Sequence, residues 1–130
     1  MYRWQIATPQ EYTAIRNLFL NSGICHSEYD VHRRVNIPFQ LKQMLSIYRN
    51  ESFCGFITVA FLDDHAEINM TQSGIRADDW RSGENFWVID YVVKPHADGF
   101  KILRMLTKEL GIKKARYFRD KFKEMREVRA

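Results

Sequence analysis

This sequence has few cysteines, prolines and glycines, and this scarcity argues against a disulfide-rich, a zinc-binding or a disordered protein. Its 130 residues include only two cysteines, Cys25 and Cys54, so we expect free thiols in a reducing compartment rather than a disulfide framework. Neither cysteine has a second Cys or a His at zinc-site spacing, because His26 is merely adjacent to Cys25. No metal is therefore predicted. Three prolines and six glycines in a chain that is 45% apolar indicate a packed globule rather than a disordered chain.

Long apolar runs are also missing. The longest, residues 53–62, is too short to cross a bilayer and contains Gly55. The N-terminus, from Met1 to Gln5, lacks the basic-then-apolar order of a secretory signal. The length suits one domain with one core. We therefore expect a single domain over residues 1–130, in the cytoplasm and away from membranes.

The net charge of +4 is placed unevenly, with an excess of basic residues near the C-terminus. Eight basic residues stand against three acidic ones between Lys113 and Arg129. Such a segment fits an acidic partner, namely nucleic acid, a phosphorylated cofactor or an acidic carrier protein, and it equally fits an ordinary solvated surface. Nucleic acid is the least favoured, because only Tyr117, Phe118 and Phe122 lie among the charges.

Hydrophobic periodicity and turn residues predict a series of helices and strands. Residues 8–11 form a capping box that starts a helix, and residues 21–23 end it. Ser27 caps a second, short helix that Pro38 stops. Strands are predicted at 4–7, 44–48, 53–62, 66–71, 86–93 and 114–118, and a third helix at 100–110. Residues 49–52 are predicted to form a hairpin turn between the second and third of these strands, and residues 63–65 a further turn. This order predicts an α/β (α+β) fold in which helices pack on a sheet.

Residues 86–110 are the most informative part of the chain. A strand that is apolar on both faces ends at Pro95, a turn of small residues follows, and an amphipathic helix starts at once. Free N–H groups and the positive end of the helix dipole suit such a start to phosphate, and Gly99 would let a ligand approach. A purely structural turn is the alternative. The candidate donor-binding residues are Val92, Val93, Lys94, Ala97, Asp98, Gly99, Phe100 and Lys101.

The same stretch resembles a known phosphate-binding motif. Residues 92–103 read Val-Val-x-Pro-x-x-x-Gly-x-x-x-Leu, which looks like the pyrophosphate-binding strand, loop and helix of GNAT acyltransferases. The chain departs from GNAT loops in having a single glycine, Gly99, and an acidic residue, Asp98, whose charge would repel phosphate. The resemblance implies a GNAT-like mixed, mostly antiparallel sheet flanked by helices.

A narrower resemblance covers two further motifs. Residues 79–83 read Asp-Trp-Arg-Ser-Gly and residues 87–91 read Trp-Val-Ile-Asp-Tyr, and both are similar to stretches of the lysine acyltransferases that activate RTX toxins. Looser similarity runs from about Ser22 to Phe118. The resemblance implies a GNAT-like fold and transfer of a fatty acyl group from acyl carrier protein to a toxin lysine. The resemblance to this family also fits a loop with only one glycine, because the donor of that family is not free coenzyme A.

Catalytic roles for His26 and Asp90 are implied by this resemblance. A histidine can accept the proton that a lysine ammonium must lose, and a carboxylate can orient the imidazole. Without the resemblance, His26 would be an ordinary surface histidine and Asp90 a salt-bridge partner of Arg76 or Arg104. A covalent mechanism through the Cys25 thiolate is a further alternative.

The predicted function is transfer of an acyl group from acyl carrier protein, or from acyl-CoA, to a protein lysine. Tyr91 is a candidate proton donor to the departing thiolate. Two alternatives stay open: a GNAT N-acetyltransferase that uses acetyl-CoA on a small amine or a protein, and a binding module whose catalytic site has decayed. The expected partners are an acyl carrier protein docked by the basic C-terminal segment and a protein substrate with the target lysine. A homodimer is left open.

Overall fold

Six strands and five α-helices follow one another along the described part of the chain. The computed structural model of the protein describes residues 1–23, 27–119 and 124–129, with side chains as far as Tyr117. Its elements in chain order are β1 (Tyr2–Ile6), a 3-10 turn (Pro9–Glu11), α1 (Tyr12–Leu20), α2 (Glu28–Val31), a π-helical segment (His32–Asn36), α3 (Ile37–Gln40), β2 (Met44–Arg49), β3 (Ser52–Leu62), α4 (Asp64–Ser73), β4 (Asn85–Val93), α5 (Gly99–Glu109), β5 (Lys114–Arg119) and β6 (Glu124–Arg129).

The first helix begins as the sequence predicts. The Glu11 carboxylate accepts a hydrogen bond from the Thr8 backbone N–H at 2.8 Å, which is one half of a capping box. The 3-10 turn then runs directly into α1. Helix α1 buries Ile15 and Phe19 completely against the sheet. The capping signal therefore decides where the helix starts, and the spacing of the apolar residues decides which face is buried.

The second helical region starts where the sequence predicts but continues further. Ser27 caps α2 by accepting a hydrogen bond from the Asp30 N–H, as expected. The prediction that Pro38 stops the helix is wrong, because the chain stays helical through α3. Pro38 lies in the first turn of α3, after the wider π turns, a position at which proline is tolerated. The π segment brings Arg34 onto the buried face beside Val35.

The sheet is mixed and mostly antiparallel. Its strands lie in the order β1-β2-β3-β4-β5-β6. Every neighbouring pair is antiparallel except β4 and β5, which are parallel and joined by the crossover through α5. The predicted hairpin between β2 and β3 turns at Asn50 and Glu51, both with positive φ, as two-residue hairpin turns require. The predicted fold class is confirmed.

One predicted strand is a helix. Residues 66–71 were expected to alternate in a strand after a turn at residues 63–65, but they lie within α4. The Asp63 carboxylate caps this helix by accepting from the Ala66 N–H at 2.7 Å. Ala66 and Met70, one helical turn apart, are buried, whereas Ile68, which a strand would have buried with them, is 58% exposed. The cap and the four-residue spacing prevail over the apparent alternation.

The C-terminal part contains one more strand than the sequence predicts. The third helix and the strand after it are confirmed as α5 and β5, and β6 then pairs antiparallel with β5. The basic segment from Lys113 is thus largely a β-hairpin rather than a free tail. Among the described residues, no helix is long and apolar enough to cross a membrane.

Helices cover both faces of the sheet. One face packs against α5 through a core that includes Ile57, Val88 and Leu106. The opposite face packs against α1 and the helical region from α2 to α3, with Phe56 at its centre, and against α4. A β-bulge lies where Thr58 faces Asp90, and the register shifts to Val59 opposite Val88. The bulge bends β4 at the point where the sequence places its candidate carboxylate.

Candidate functional site

Strands β4 and β5 separate beyond their first contacts. Their parallel ladder contains only the pairs Trp87 with Arg116 and Val88 with Tyr117, although β4 continues to Val93. In a sheet with parallel strands, ligands bind beyond the carboxyl ends of those strands. Helix α5 begins at the same edge. The fold therefore brings an opening in the sheet and the start of a helix together.

The start of α5 offers fewer open donors than the sequence suggests. Asp98 is the N-cap, and its carboxylate accepts a hydrogen bond from the Lys101 N–H at 3.1 Å. The Asp98 N–H donates to the Tyr2 hydroxyl at 2.7 Å, and the Ala97 N–H donates to the Lys94 carbonyl at 2.9 Å. Within the described residues this leaves the amides of Gly99 and Phe100 as open donors.

The other candidate donor-binding residues surround this helix start. Val92, Val93 and Ala97 are partly buried, whereas the Lys94 and Lys101 side chains are exposed. Both cations lie close in sequence to the open amides. A phosphate group is the kind of ligand that such a helix start holds.

Tyr91 lies directly over Gly99. A Cβ at position 99 would overlap the Tyr91 hydroxyl, so the glycine is required by this aromatic ring. Burial, together with the nearby Tyr117 and Asp98, raises the pKa of Tyr91 above its usual value. The hydroxyl therefore stays protonated at neutral pH and can donate a hydrogen bond into the opening. Gly99 is expected from the sequence to allow close approach of a ligand, whereas in the structure it accommodates the Tyr91 side chain.

Asp90 projects from the opposite face of β4 and is paired with Arg34. The Arg34 Nε donates to Asp90 Oδ2 at 2.9 Å, and its Nη2 donates to Oδ1, giving a bidentate ion pair. Asp90 is 3% exposed and Arg34 7% exposed. The predicted salt bridge exists, but the partners suggested for it, Arg76 and Arg104, are wrong. Both of those arginines are exposed, and Arg104 lies on α5, across the sheet from Asp90.

The ion pair leaves the carboxylate with capacity for another partner. A carboxylate has about four acceptor positions, and Arg34 uses two of them. The backbone N–H of Asp90 donates to the Thr58 hydroxyl at 3.0 Å, which fixes the strand at the bulge. Asp90 is thus held rigidly and keeps two acceptor positions that Arg34 does not use.

A cavity of about 310 Å³ adjoins this pair. Arg33, Arg34 and Ile89 line one side, and the C-terminal end of α4 with Ile75 lines the other. The Arg33 guanidinium donates to the Ile75 carbonyl at 3.1 Å and holds the two sides together. The cavity lies beside Arg34 on the Asp90 side of β4, whereas the opening beside β5 lies on the Tyr91 side.

The predicted histidine, His26, lies outside the described residues. The chain is described up to Gly23, shortly after α1, and again from Ser27 at the cap of α2. The other three histidines lie at exposed positions in other parts of the fold, and none is shown in contact with Asp90. His32, His65 and His96 are all exposed, at the start of the π-helical segment, in the first turn of α4 and in the loop before α5 respectively.

The sequence motifs that carried the family resemblance have a structural role here. Trp80 is fully buried, and its carbonyl accepts hydrogen bonds from the Phe61 N–H and from the Gln43 side chain. The Ser82 hydroxyl accepts from the Asp63 N–H at 3.0 Å, which ties the loop to the start of α4. The motif therefore fixes the loop between α4 and β4.

Trp87, in the second motif, anchors α4 to the sheet. Its indole Nε1 donates to Glu67 Oε2 at 2.5 Å, and the Arg116 guanidinium donates to the same oxygen at 2.6 Å. Arg116 is thus engaged with Glu67 rather than held open for a partner. Among the described residues, no group of three potential metal ligands comes together.

Sequence reasoning missed Arg34. A usable signal was present, since Arg34 follows Val31 by three residues and adjoins Val35, which places it on the buried face of a helix. A buried arginine requires a carboxylate or an equivalent acceptor. What the spacing could not provide is the identity of that acceptor, because Asp90 is 56 residues away in the chain.

The fold is similar to that of solved GNAT proteins. The loading GNATL domain of CurA from Lyngbya majuscula aligns with a TM-score of 0.55 at 11% identity, over 90% of this chain and 64% of that one. A GNAT family acetyltransferase from Brucella melitensis, solved in complex with acetyl-CoA, gives a TM-score of 0.52 at 14% identity, over 92% of this chain and 77% of that one. At such identities the likeness shows the fold alone, and it confirms the predicted GNAT-like fold.

Sequence comparison is more specific. Proteins named protein-lysine palmitoyltransferase CyaC, from Bordetella bronchiseptica and Bordetella parapertussis, are 27% identical to this chain over 97 residues. The match takes 71% of this chain, which spans about half, 52%, of the length of those relatives. The HlyC model, described as the RTX toxin acyltransferase family, matches residues 16–129. This chain therefore belongs to the RTX toxin acyltransferase family.

Proposed function

We propose that this protein transfers a fatty acyl group from a thioester donor to the side-chain amine of a lysine in a protein substrate. The observation that carries the proposal is the arrangement around β4. A buried, rigidly held carboxylate, Asp90, lies on one face of the strand, and Tyr91 and the opening towards α5 lie on the other. A donor thioester and an acceptor amine could thus approach the same strand from different sides.

The donor end is proposed to lie at the opening between β4 and β5. The amides of Gly99 and Phe100, with Lys94 and Lys101 nearby, would hold the phosphate of a phosphopantetheine arm. The arm would then enter along β4 beside Tyr91, whose protonated hydroxyl can donate a hydrogen bond to the sulfur as it leaves. The donor we propose is acyl carrier protein.

The acceptor end is proposed to lie at the cavity beside Arg34 and Asp90. A lysine ammonium must lose a proton before its nitrogen can attack, and we propose that His26 accepts that proton. The amine nitrogen then bonds to the thioester carbonyl carbon, and the carbon–sulfur bond breaks. The products are an amide on the lysine and a free thiol on the donor. Asp90 would orient the imidazole and stabilise its charged form.

Arg34 would act on this reaction through Asp90. Its guanidinium holds the carboxylate in one orientation by a bidentate pair, so that the free acceptor positions of Asp90 point in a fixed direction. Arg34 is therefore proposed as a positioning residue. The protein name of the Bordetella relatives, which specifies lysine acylation, supports the same reaction class.

Intact-mass measurement tests the proposal directly. The wild-type protein is incubated with palmitoyl acyl carrier protein and a protein substrate that carries candidate lysines, and modified peptides are located by fragmentation. The expected result is a mass gain of one palmitoyl group on a lysine, which resists hydroxylamine because an amide is formed. Label found only on cysteine, or no label with any thioester donor, would contradict the proposal.

Acetyl-CoA is a second candidate donor. The open amides at the start of α5 and the GNAT acetyltransferase from Brucella melitensis, solved with acetyl-CoA, favour it. The same incubation with acetyl-CoA separates the two, because an acetyl group adds far less mass than a palmitoyl group.

A further inference from the structure

Helix α5 carries an exposed stripe of basic residues with one aromatic ring at its start. The stripe consists of Phe100, Lys101, Arg104 and Lys108, and all four side chains are exposed. At 3.6 residues per turn they fall within about 100° of the helix circumference. The opposite face, with Leu103 and Leu106, is buried in the core. We call this surface the α5 stripe.

The charge of the α5 stripe is unbalanced. Among the described side chains, no carboxylate forms an ion pair with any of its three cations. Asp98 is engaged as the helix cap, and Glu109 falls on a different side of the helix. By contrast, Arg116 in β5 is paired with Glu67. The α5 stripe thus presents uncompensated positive charge, which part of the basic C-terminal segment does not.

Phe100 adds an apolar contact to this charge. Its ring is 59% exposed and lies near the Arg104 guanidinium, 5.8 Å from the ring centroid. A large exposed aromatic side chain within a charged surface is typical of the centre of a protein–protein contact. The ring lies at the first turn of α5, beside the open amides of Gly99 and Phe100.

We infer that the α5 stripe is the docking surface for an acidic acyl carrier protein. The cations extend for about 10 Å along the helix, at 1.5 Å per residue, which is farther than a single phosphate can span. An acidic helix of a carrier would contact Lys101, Arg104 and Lys108, and Phe100 would pack against its apolar residues. The phosphopantetheine arm would leave the carrier at the end of α5 where the opening beside β4 begins. The inference rests on the proposed function, and it moves carrier docking from the C-terminal hairpin to α5.

Charge reversal tests the docking surface. The variant Arg104→Glu, Lys108→Glu leaves Lys101, which is proposed to hold the donor phosphate, in place. It is compared with a control of equal charge change, Lys42→Glu, Arg76→Glu, whose residues are exposed elsewhere. Transfer is measured from palmitoyl acyl carrier protein, from palmitoyl-CoA and from palmitoyl N-acetylcysteamine, a thioester without a carrier. Binding of the carrier protein is measured separately by calorimetry at low and high salt.

The expected effect is specific to the carrier. In the α5 variant, KM for palmitoyl acyl carrier protein should rise by about tenfold or more at low salt, and the rise should shrink as salt screens the charges. Transfer from the small thioester should be unchanged in the α5 variant. The control variant should keep the wild-type KM for palmitoyl acyl carrier protein. Phe100→Ala should weaken carrier binding by about fivefold without changing its salt dependence.

Other results would overturn the inference. Equal effects of the two double variants would show a general charge effect, and an equal loss with the small thioester would place the damage in the acyl-transfer site. A raised KM for palmitoyl-CoA, with the carrier unaffected, would assign the stripe to a nucleotide phosphate. Calorimetry measures carrier binding without transfer, so it tests the docking surface separately from the proposed acyl transfer. Carrier binding that depends on the stripe without any transfer would refute the proposed function alone, and transfer without such dependence would refute the docking surface alone.

Discussion

Two buried carboxylates in this protein are stabilised in opposite ways. Glu11 accepts hydrogen bonds from neutral groups: the Thr8 N–H, the Gln5 amide, and the Ser46 and Tyr48 hydroxyls. Asp90 is held by a single charged partner, Arg34, which comes from another element.

The difference separates a structural site from a candidate active site. Four neutral donors surround Glu11 and tie β1, β2 and the start of α1 together. Asp90 lies at a β-bulge and keeps acceptor capacity, and its partner Arg34 lines a cavity. Burial of a carboxylate is common to both, so burial alone does not indicate function. The two sites differ in their partners, because Glu11 accepts from neutral donors and Asp90 is paired with a charged one.

The largest effect is expected at the proposed partner of Asp90. His26→Ala should lower the transfer rate by about 10²–10⁴-fold, because the lysine would lose its proton acceptor. His32→Ala is the matched control and should retain most activity. The wild-type pH–rate profile should rise near about 6.5, the ordinary pKa of histidine. An active His26→Ala protein that keeps this rise would refute the assignment.

Asp90→Asn should reduce both activity and stability. The Asn side chain cannot stabilise an imidazolium, and it leaves the buried Arg34 without a carboxylate, which costs about 3–5 kcal/mol of unfolding free energy. The double variant Arg34→Met, Asp90→Leu removes both charges and should recover most of that stability while remaining inactive. Urea unfolding and transfer rates measured together check this. Recovery of activity in the double variant would mean that the pair is purely structural.

Glu11→Gln should affect stability alone. The Thr8 N–H and its neighbours lose a charged acceptor, at a cost of about 1–3 kcal/mol. Activity per folded molecule should stay at the wild-type level, measured by transfer assays normalised to the folded fraction. A Glu11→Gln protein that folds fully and fails to transfer would remove the contrast with Asp90.

A smaller effect should appear in acid. Burial alone would raise the pKa of Glu11, but hydrogen bonds from Tyr48, Thr8 and Ser46 outweigh it and hold the pKa below its usual value of 4.5. The carboxylate therefore contributes stability above that value, and the contribution is lost as the pH falls through the lower folded pKa. Urea unfolding between about pH 6 and pH 3 should show a shallower acid loss in Glu11→Gln than in the wild type. Parallel curves would contradict this explanation.

The parts of the fold that were predicted correctly depend mostly on local signals, namely helix caps and turn residues. The capping residues Thr8 and Ser27 start helices where expected, and the turn at residues 50–51 joins the predicted hairpin. Helix α4 was predicted as a strand, because residues 66–71 alternate in polarity. The cap at Asp63 was the better signal, and it was assigned to a turn.

The site was predictable only in part, because its geometry depends on distant contacts. Asp90 stood out as a charge in an apolar strand, yet its pairing with Arg34 joins residues far apart in the chain. The ring of Tyr91 over Gly99 depends on how α5 packs, which no spacing encodes. The motif at residues 79–83 identified the family correctly, although it forms a structural loop. His26 stays a prediction, since it lies outside the described residues.

The transfer rate per folded molecule of three proteins tests the central claim most directly. Wild type, Asp90→Asn and Glu11→Gln are each incubated with palmitoyl acyl carrier protein and a protein substrate, and acylated lysine is measured by mass spectrometry over time. The account predicts equal rates for wild type and Glu11→Gln and a rate at least about 100-fold lower for Asp90→Asn. Transfer by Asp90→Asn at the wild-type rate would contradict it, because the carboxylate on β4 would then have no part in the reaction.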